Sequence, residues 1–409
     1  MRPVWLLAAA SLFATTADAA PMTFNAAVTQ AEQSAPSLQA RALDLKAARS
    51  ASVAAGRLPD PRLAFGLEGL PASGSKIGQP FADQFSDLRL GLSQDVPSRA
   101  KRGAQRERAR ADIEAAAVGG GMEARTVRIA AAIAWLDLFY AEGRLAALGE
   151  VDHRLAILRG AASAQLASGA QRPGQSLEPE RLSAALADRR ADLVAAVSKS
   201  RAALARWTGD ATAEVAGPPP AFAIDPVRLR AGLDDLPVLR SLDAGARQAD
   251  ADVALAQADK RPDWGWEVAY QRRDPRFGDM VMAQVSVGLP LFAATRQDPV
   301  IDARRSIALR VRMDRESARR ELAAQLDADL ADHAAREDRF RRSETVLTPL
   351  AERRAALETA SYGAGSAGLN DVLTALLDLA EARIDRLDRE ADVAVDGARI
   401  ALTYGSDPQ

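Results

Sequence analysis

Two kinds of hydrophobic pattern alternate along the chain, and both recur in its second half. Four short segments carry an apolar residue at every second position, which is typical of β-strands with one apolar face. Between them, apolar or alanine residues return every three or four positions, as in amphipathic helices. The strand segments lie at 63–70, 86–95, 264–271 and 280–289. The pattern therefore predicts a mainly α-helical protein with a small β part.

Each half predicts the same order of elements: a helix, two strands, a very long helix, a Gly-rich turn and a last helix. The helices are expected at about 23–57, 98–168 and 177–207 in the first half, and at about 227–258, 296–362 and 369–404 in the second. Pro97 ends the second strand as Pro290 ends the fourth, and proline suits such junctions because it cannot extend a ladder. We expect an internal duplication. Its repeats would span 20–208 and 227–409, joined by a linker or equatorial segment at 209–226.

The predicted long helices are too long for an ordinary globular domain. About 70 residues at 1.5 Å each make a rod of roughly 100 Å, which needs partners along its length. The last helix supplies a coiled-coil seam with gaps of mostly three and four residues, which begins Leu369, Leu373, Leu376, Ala380 and Ile384. Gly119-Gly120-Gly121 interrupts the first long helix and Pro349 should kink the second.

The four strand segments have the composition of membrane strands. Leu63, Phe65 and Leu67 alternate with small or polar residues, and the other three segments repeat that alternation. A soluble antiparallel sheet with one face on the core and one face exposed to solvent shows the same alternation of apolar and polar residues. Four strands cannot close a transmembrane barrel, which needs about eight, and open edges cannot face lipid. If the strands enter a membrane, an oligomer must complete the wall.

Residues 1–19 read as a signal peptide for export. Arg2 precedes the apolar run Val4 to Ala14, and Ala17-Asp18-Ala19 supplies an A-x-A cleavage pattern. An uncleaved anchor helix is the alternative, but the run falls well short of the roughly 20 residues that cross a bilayer. We expect cleavage after Ala19 and an exported mature chain.

Composition removes several classes of function. Fifty-three Lys and Arg against 55 Asp and Glu give a net charge of −2, which argues against a nucleic-acid binder. The chain has no cysteine, so disulfides, thiol catalysis and a lipid anchor on an N-terminal cysteine are excluded. His153 and His333 lie in different helical segments. We find no catalytic constellation, no cofactor loop and no metal-ligand cluster, and predict a protein that is not an enzyme, with no cofactor and no metal site.

Several motifs in order resemble the TolC-like outer-membrane efflux proteins, and among them the heavy-metal branch typified by CzcC and CusC. The resemblance covers nearly the whole mature chain. Its clearest parts are Leu58-Pro59-Asp60-Pro61-Arg62-Leu63, Leu92-Ser93-Gln94-Asp95-Val96-Pro97, Val287-Gly288-Leu289-Pro290-Leu291-Phe292, and the hairpin stretch Gly365 to Leu373 with Asp371-Val372-Leu373.

The resemblance implies a fold, partners and a location. The fold would be mainly α with a transmembrane β part, in which four strands per protomer complete a 12-stranded trimeric β-barrel continuous with a long α-helical barrel. The partners would be a homotrimer, a periplasmic adaptor (membrane fusion protein), an inner-membrane RND transporter and outer-membrane lipid. The chain would be located in the outer membrane, with its helical barrel in the periplasm. It would be a passive channel subunit of a tripartite efflux pump that exports heavy-metal cations. Alternatives are a channel for organic compounds, drugs or secreted polypeptides, and a soluble periplasmic coiled-coil scaffold.

Asp371, Thr374 and Asp378 are the candidates for the periplasmic aperture. In the trimer that the resemblance implies, three copies of Asp371 form an acidic ring at the closed tip, with Asp378 two turns deeper. Thr374 stands where the family often has a second aspartate. A carboxylate in the first turn of a helix is also favoured by capping and by the helix dipole, whatever the protein does.

Six further residues mark the two hairpin turns and are candidates for docking the adaptor. They are Gly169, Arg172, Gly174, Gly363, Gly365 and Gly368. Glycine also permits the positive φ angles that turns require, so a purely structural role stays open.

Overall fold

The structure is a computed structural model, and it describes residues 21–81, 85–167 and 178–405. The proposed signal peptide, 1–19, lies outside the described residues, as do Gly169, Arg172 and Gly174. The elements are α1 Phe24–Ser34, α2 Pro36–Ala54, β1 Arg62–Glu68, β2 Asp87–Val96, α3 Arg99–Ala167, α4 Glu178–Thr208, α5 Pro226–Ala231, α6 Pro237–Ala258, β3 Trp264–Arg272, β4 Met280–Val287, α7 Gln297–Arg342, α8 Thr348–Gly363 and α9 Leu369–Tyr404.

Proline divides two of the intervals that the sequence predicts as single helices. The interval 23–57 contains α1 and α2, which meet at Pro36, and the interval 227–258 is broken before Pro237. Proline lacks the N–H that an α-helix needs in its interior but is tolerated in the first turn, so each proline begins a new helix. Gly119-Gly120-Gly121, in contrast, lies inside the continuous helix α3.

The predicted kink at Pro349 is a π-helical turn. Ser343–Leu347 forms this turn between α7 and α8, and Pro349 is the second residue of α8. The backbone N–H of Thr348 donates to the carbonyl of Ser343, five residues earlier. The helix therefore contains one wider turn directly before the proline.

The four strands form one antiparallel sheet in the order β1-β2-β3-β4. The pairing places Leu90 between Phe65 and Tyr270, and Val268 opposite Ala283. The sheet is therefore assembled from both halves of the sequence, because β2 and β3 are neighbours.

The described chain divides into two compact units, each drawn from both halves of the sequence. One contains residues 21–35, 126–167, 178–225 and 328–405, and the other contains 36–81, 85–125 and 226–327. The sheet belongs to the second unit. The division into sequence repeats at 20–208 and 227–409 stays a prediction about the origin of the chain.

The core of the first unit surrounds an aromatic cluster on α3. Trp135 and Tyr140 are buried, Trp135 stacks on Phe139, and Phe24 meets Trp135 edge to face at 5.6 Å. The indole N–H of Trp135 donates to the carbonyl of Met22 at 2.9 Å. This bond holds the chain before α1 against the long helix.

In the second unit, all four helices that connect to the sheet do so at one end. Arg62 begins β1, Val96 ends β2, Trp264 begins β3 and Val287 ends β4 at this end. Lys101 in the first turn of α3 bonds Asp259 at 2.9 Å and Asp263 at 3.3 Å. The hydrogen bond to Asp259 raises the pKa of Lys101. These bonds join the start of α3 to the segment that leads into β3.

Candidate functional site

One face of the sheet is apolar and open to the surroundings. Leu63 and Phe65 on β1 are 72% and 73% exposed, and Val281 and Val285 on β4 are 72% and 67% exposed. The other exposed apolar residues of this face are Leu67, Leu90, Leu92, Trp264, Val268, Tyr270 and Val287. A soluble protein rarely leaves such a contiguous apolar surface uncovered. This apolar face therefore needs lipid or another protein against it.

The opposite face of the sheet is polar and carries an ionic network across three strands. The guanidinium of Arg89 on β2 bonds Glu68 on β1 at 2.6 Å and also bonds Glu267 on β3. Most other positions of this face are small or uncharged, such as Gly91 and Ala269. Small residues leave room for water on this side, and charged residues are stable there.

The sequence predicts the strand that contains Arg89 but does not predict the ionic network that Arg89 forms. Alternation alone places Glu68, Arg89 and Glu267 on the small or polar side of their strands. It does not say that β2 lies between β1 and β3. The signal that could have found the network is the occurrence of opposite charges on the same face of three strands.

Both edges of the sheet are open within the described residues. β1 pairs only with β2, and β4 pairs only with β3. Because β1 and β4 run in opposite directions, the β4 edge of one copy could pair with the β1 edge of the next in an antiparallel ladder. Unpaired backbone groups of this kind are a template for association.

Asp371 lies in the first turn of α9 and caps that helix. One oxygen of its carboxylate accepts the backbone N–H of Gly368 at 2.9 Å, and the side chain is exposed. The structural role that the sequence left open is therefore present. The same carboxylate remains available at the surface, so the cap and a role at an aperture are compatible.

Thr374 and Asp378 share the face of α9 on which Asp371 lies. The spacings of three and four residues bring the three side chains onto one side of the helix, and Thr374 is exposed. Asp378 forms an ion pair with Arg354 of α8 at 2.6 Å. The structure thus brings the three predicted residues onto one helical face, with Asp378 already partnered.

The three glycines of the described hairpin turn between α8 and α9 differ in backbone conformation and in position. Gly365 has a φ of +74°, a region that favours glycine, whereas Gly363 ends α8 and Gly368 is the N-cap of α9. The backbone N–H of Ser366 donates to the carbonyl of Ser361 at 2.9 Å, which closes the turn. A positive φ therefore explains Gly365 and does not explain Gly363 or Gly368.

The sequence pattern also does not predict a buried charged cluster on α7 and α9. This anchor cluster consists of Asp329, His333, Arg336, Asp396, Arg399 and Tyr404. Asp396 is 3% exposed; it pairs with Arg336 at 2.6 Å and with Arg399, and it faces Nδ1 of His333 at 3.3 Å. Burial alone would raise the pKa of Asp396, but the hydrogen bonds from Arg399 and Arg336 outweigh it and lower that pKa.

Two further features are absent from the described ranges. No group of three or more His, Cys, Asp or Glu side chains is arranged to hold a metal ion. No described helix contains an apolar stretch long enough to span a membrane.

Comparisons with known proteins identify the fold. No family model matches the sequence, and no curated protein matches it significantly. Among solved structures, CusC is 14% identical with a TM-score of 0.79 over 94% of this chain and 92% of that chain. The outer-membrane protein VceC of Vibrio cholerae is 18% identical, with a TM-score of 0.76 over 94% and 96%. The outer-membrane channel CmeC of Campylobacter jejuni is 12% identical, with a TM-score of 0.77 over 93% and 85%.

At these identities the likeness shows the fold. The chain has the TolC-like fold, mainly helical with a four-stranded antiparallel sheet, and the fold class predicted from the sequence is confirmed in these respects.

Proposed function

We propose that the chain is the outer-membrane channel subunit of a tripartite efflux pump. The observation that carries this proposal is the sheet, whose one face is apolar and exposed while the other is small, polar and charged. A wall with lipid on one side and water on the other requires this division. The structural likeness to outer-membrane channels supports the same assignment.

The assembly would be a homotrimer with a barrel of 12 strands. A lipid-facing sheet cannot keep open edges, since unpaired backbone groups are costly in hydrocarbon. β1 and β4 are the open edges, and their antiparallel directions allow successive copies to pair head to tail. Three copies exceed the minimum of about eight strands for a transmembrane barrel.

The helix α2 supports the same head-to-tail contact. Within the described structure none of its residues is buried, and its exposed face has a heptad-like series of Ala40, Leu43, Ala47, Ala51 and Ala54. An open groove of about 810 Å³, lined in part by Ala47, Ala51 and Ala54, lies beside this series. α7 exposes Val300, Ala303 and Ile307 at matching spacing. Because α2 enters the sheet and α7 leaves it at the same end, the two series would pack antiparallel between neighbouring copies.

Disulfide trapping tests this contact. A chain with Ala51→Cys and Ala303→Cys should form covalently linked subunits on mild oxidation, because the proposed antiparallel packing would bring the two series together between neighbouring copies. Arg49→Cys with Ala303→Cys is the matched control, since Arg49 is exposed on the opposite side of α2. Equal linking in both variants, or none in either, would contradict the packing.

Fractionation of the expressing cell tests the function itself. The outer-membrane extract should contain a trimer that dissociates on heating before electrophoresis. A soluble periplasmic protein with no membrane fraction would reject the channel and favour the coiled-coil scaffold.

The proposed cargo is heavy-metal cations. The motifs shared with the CzcC and CusC branch and the structural likeness to CusC support this class. A strain lacking the gene should become sensitive to metal salts and recover with the wild-type copy. Sensitivity to organic compounds alone would assign the channel to drug export.

Asp371 would contribute an acidic ring at the periplasmic aperture. Because Asp371 also caps α9 through Gly368, Asp371→Asn is the informative variant: an amide oxygen keeps the cap and removes the charge. We expect weaker cation selectivity and weaker block by multivalent cations in single-channel recordings of Asp371→Asn. Unchanged selectivity and block would reject the ring.

The adaptor would dock at the two hairpin tips. Cysteines placed at Arg172 and Ala367 should cross-link the adaptor in the assembled pump, whereas a cysteine at Arg320 in α7 should not. Absence of any adduct from the two tip positions would count against this site.

A further inference from the structure

His333 lies inside the anchor cluster, and the proposed function gives it no role. Its side chain is 9% exposed, and its two ring nitrogens face two different carboxylates. Nδ1 lies 3.3 Å from an oxygen of Asp396 on α9, and Nε2 lies 3.5 Å from an oxygen of Glu337 on α7. Asp396 is buried, whereas the side chain of Glu337 is 50% exposed. The ring therefore lies between a buried carboxylate of the neighbouring helix and a surface carboxylate of its own helix.

A neutral imidazole cannot donate to both carboxylates. It has one N–H, so its second nitrogen presents a lone pair. When Nδ1 donates to Asp396, the lone pair of Nε2 faces the negative charge of Glu337. An imidazolium donates from both nitrogens, and both of its hydrogen bonds are charge-assisted. Only the protonated form of His333 therefore satisfies both contacts.

The charges around the ring also favour a proton. The ionised groups near the ring, all supplied by α7 and α9, are three carboxylates and two guanidiniums: Asp329, Glu337, Asp396, Arg336 and Arg399. The hydroxyl of Tyr404 donates to Asp329 and is uncharged. With a neutral ring the cluster carries one excess negative charge, and a proton on the ring removes it. Burial and the two guanidiniums oppose a further positive charge, but the hydrogen bond to Glu337 forms only when that charge is present.

The ring is also in contact with an apolar side of the cluster. A Cβ added at Gly397 of α9 would lie 3.4 Å from Cβ of Phe222 and 3.5 Å from Cε1 of His333. The imidazole and Phe222 thus both pack against the backbone of α9 at a position without a side chain. Phe222 packs on the aromatic core of the first unit and brings no charge to the ring.

We propose that His333 is an acid-sensitive latch between α7 and α9, which binds a proton as the pH falls and then bonds Asp396 and Glu337 together. A histidine in an unfolded chain titrates near pH 6.5. Stability that comes from binding a proton in the folded state is fully present below that value and is lost as the pH rises above it. Mild acid would therefore tighten the packing of α7 on α9. The latch does not depend on the proposed channel function, because all of its contacts lie within the first unit.

Thermal unfolding of wild type and His333→Gln at about pH 5.5 and about pH 8 tests the latch. Glutamine keeps an N–H for Asp396 but does not bind a proton. The unfolding temperature of wild type should exceed that of His333→Gln by at least about 2 °C more at the lower pH than at the higher pH. His153 is present in both proteins, so its titration cancels. A difference that is equal at the two pH values, or larger at the higher one, overturns the latch.

Glu337→Gln tests the second partner of the ring. A glutamine amide can donate to Nε2 of the neutral ring, so the advantage of wild type over Glu337→Gln should grow from about pH 8 to about pH 5.5. Asp338→Asn is the matched control, since the neighbouring carboxylate of Asp338 is 64% exposed and pairs with Arg341 at 3.5 Å. Its difference from wild type should stay constant over this range. Equal pH dependence in the two variants overturns the latch, because general charge effects would then account for it.

If these variants do not fold, the charge state of His333 decides. The chain has two histidines, so His153→Gln, a change at an exposed position, leaves His333 as the only one. The ¹³Cε1 resonance of labelled histidine then reports its protonation in the folded protein. More than half of His333 should be protonated at about pH 6.5, where an unfolded histidine is half protonated. A smaller fraction overturns the latch.

Discussion

Neutralising Asp396 should destabilise the first unit, because its carboxylate is the centre of the anchor cluster. Asp396 is 3% exposed and balances Arg336 at 2.6 Å and Arg399, with His333 at 3.3 Å. Asp396→Asn keeps the shape of the side chain and leaves two arginines without their shared anion. The perturbation is therefore one of charge at a nearly constant volume.

The expected magnitude follows from the exposure of the partners. Breaking a fully buried ion pair costs about 3–5 kcal/mol. Arg336 and Arg399 are 34% and 43% exposed, so both can regain water, and we discount the cost to about 2 kcal/mol. For a unit of this size, 1 kcal/mol corresponds to about 2–4 °C, and we expect the unfolding temperature to fall by about 4–8 °C.

Thermal unfolding of the detergent-solubilised protein, followed by helical circular dichroism, measures this change. Asp392→Asn is the matched control, since Asp392 is an exposed carboxylate on the same helix and its loss should shift the transition by less than about 1 °C. An Asp396→Asn transition that coincides with wild type, or lies above it, would refute the reasoning that the carboxylate is needed to balance the arginines.

The same carboxylate predicts a dependence on acid. Its pKa is lowered in the folded protein, so the stability it contributes is present above its unfolded value of about 3.9 and is lost as the pH falls through the folded value. The difference in unfolding temperature between wild type and Asp396→Asn should therefore shrink as the pH falls below about 4. A difference that grows as the pH falls below about 4 would contradict this sign.

Two further predictions concern the sheet and its junction with the helices. Val285→Arg, on the apolar face, should reduce the yield of heat-sensitive trimer, since arginine facing lipid is destabilising, by about 2–4 kcal/mol at the bilayer midplane and by less toward the interfaces. The adjacent Gln284→Arg, on the polar face, should assemble normally, and equal yields would contradict the assignment of faces. Gly56→Ala should lower the unfolding temperature more than Gly74→Ala, because both glycines have positive φ but a Cβ at Gly56 would lie 2.3 Å from the carbonyl oxygen of Arg102, whereas one at Gly74 meets no atom within 4 Å.

Local chemistry determined the elements of this protein. The alternation of Leu63, Phe65 and Leu67 specifies a strand with one apolar face, because successive side chains point to opposite sides of an extended chain. The repeating Leu and Ala positions between 369 and 404 specify α9 for a similar reason. The effect of proline is only partly predicted by the sequence: Pro36 and Pro237 begin new helices within intervals predicted as single helices, and a π-turn precedes Pro349, where the sequence predicts a kink.

Only the tertiary structure decided which distant residues meet. Leu90 pairs with Tyr270, and Arg89 bonds both Glu68 and Glu267. Asp396 on α9 forms an ion pair with Arg336 on α7. These contacts join residues tens to nearly two hundred positions apart, and no periodicity along the chain records them. The sequence by itself determined the strands, most of the helices and the face on which Asp371, Thr374 and Asp378 lie, because hydrogen bonds and side-chain directions within an element are local. The order of the strands, the anchor cluster and the contacts around the π-turn depend on packing between elements, which a single sequence does not encode in any local pattern.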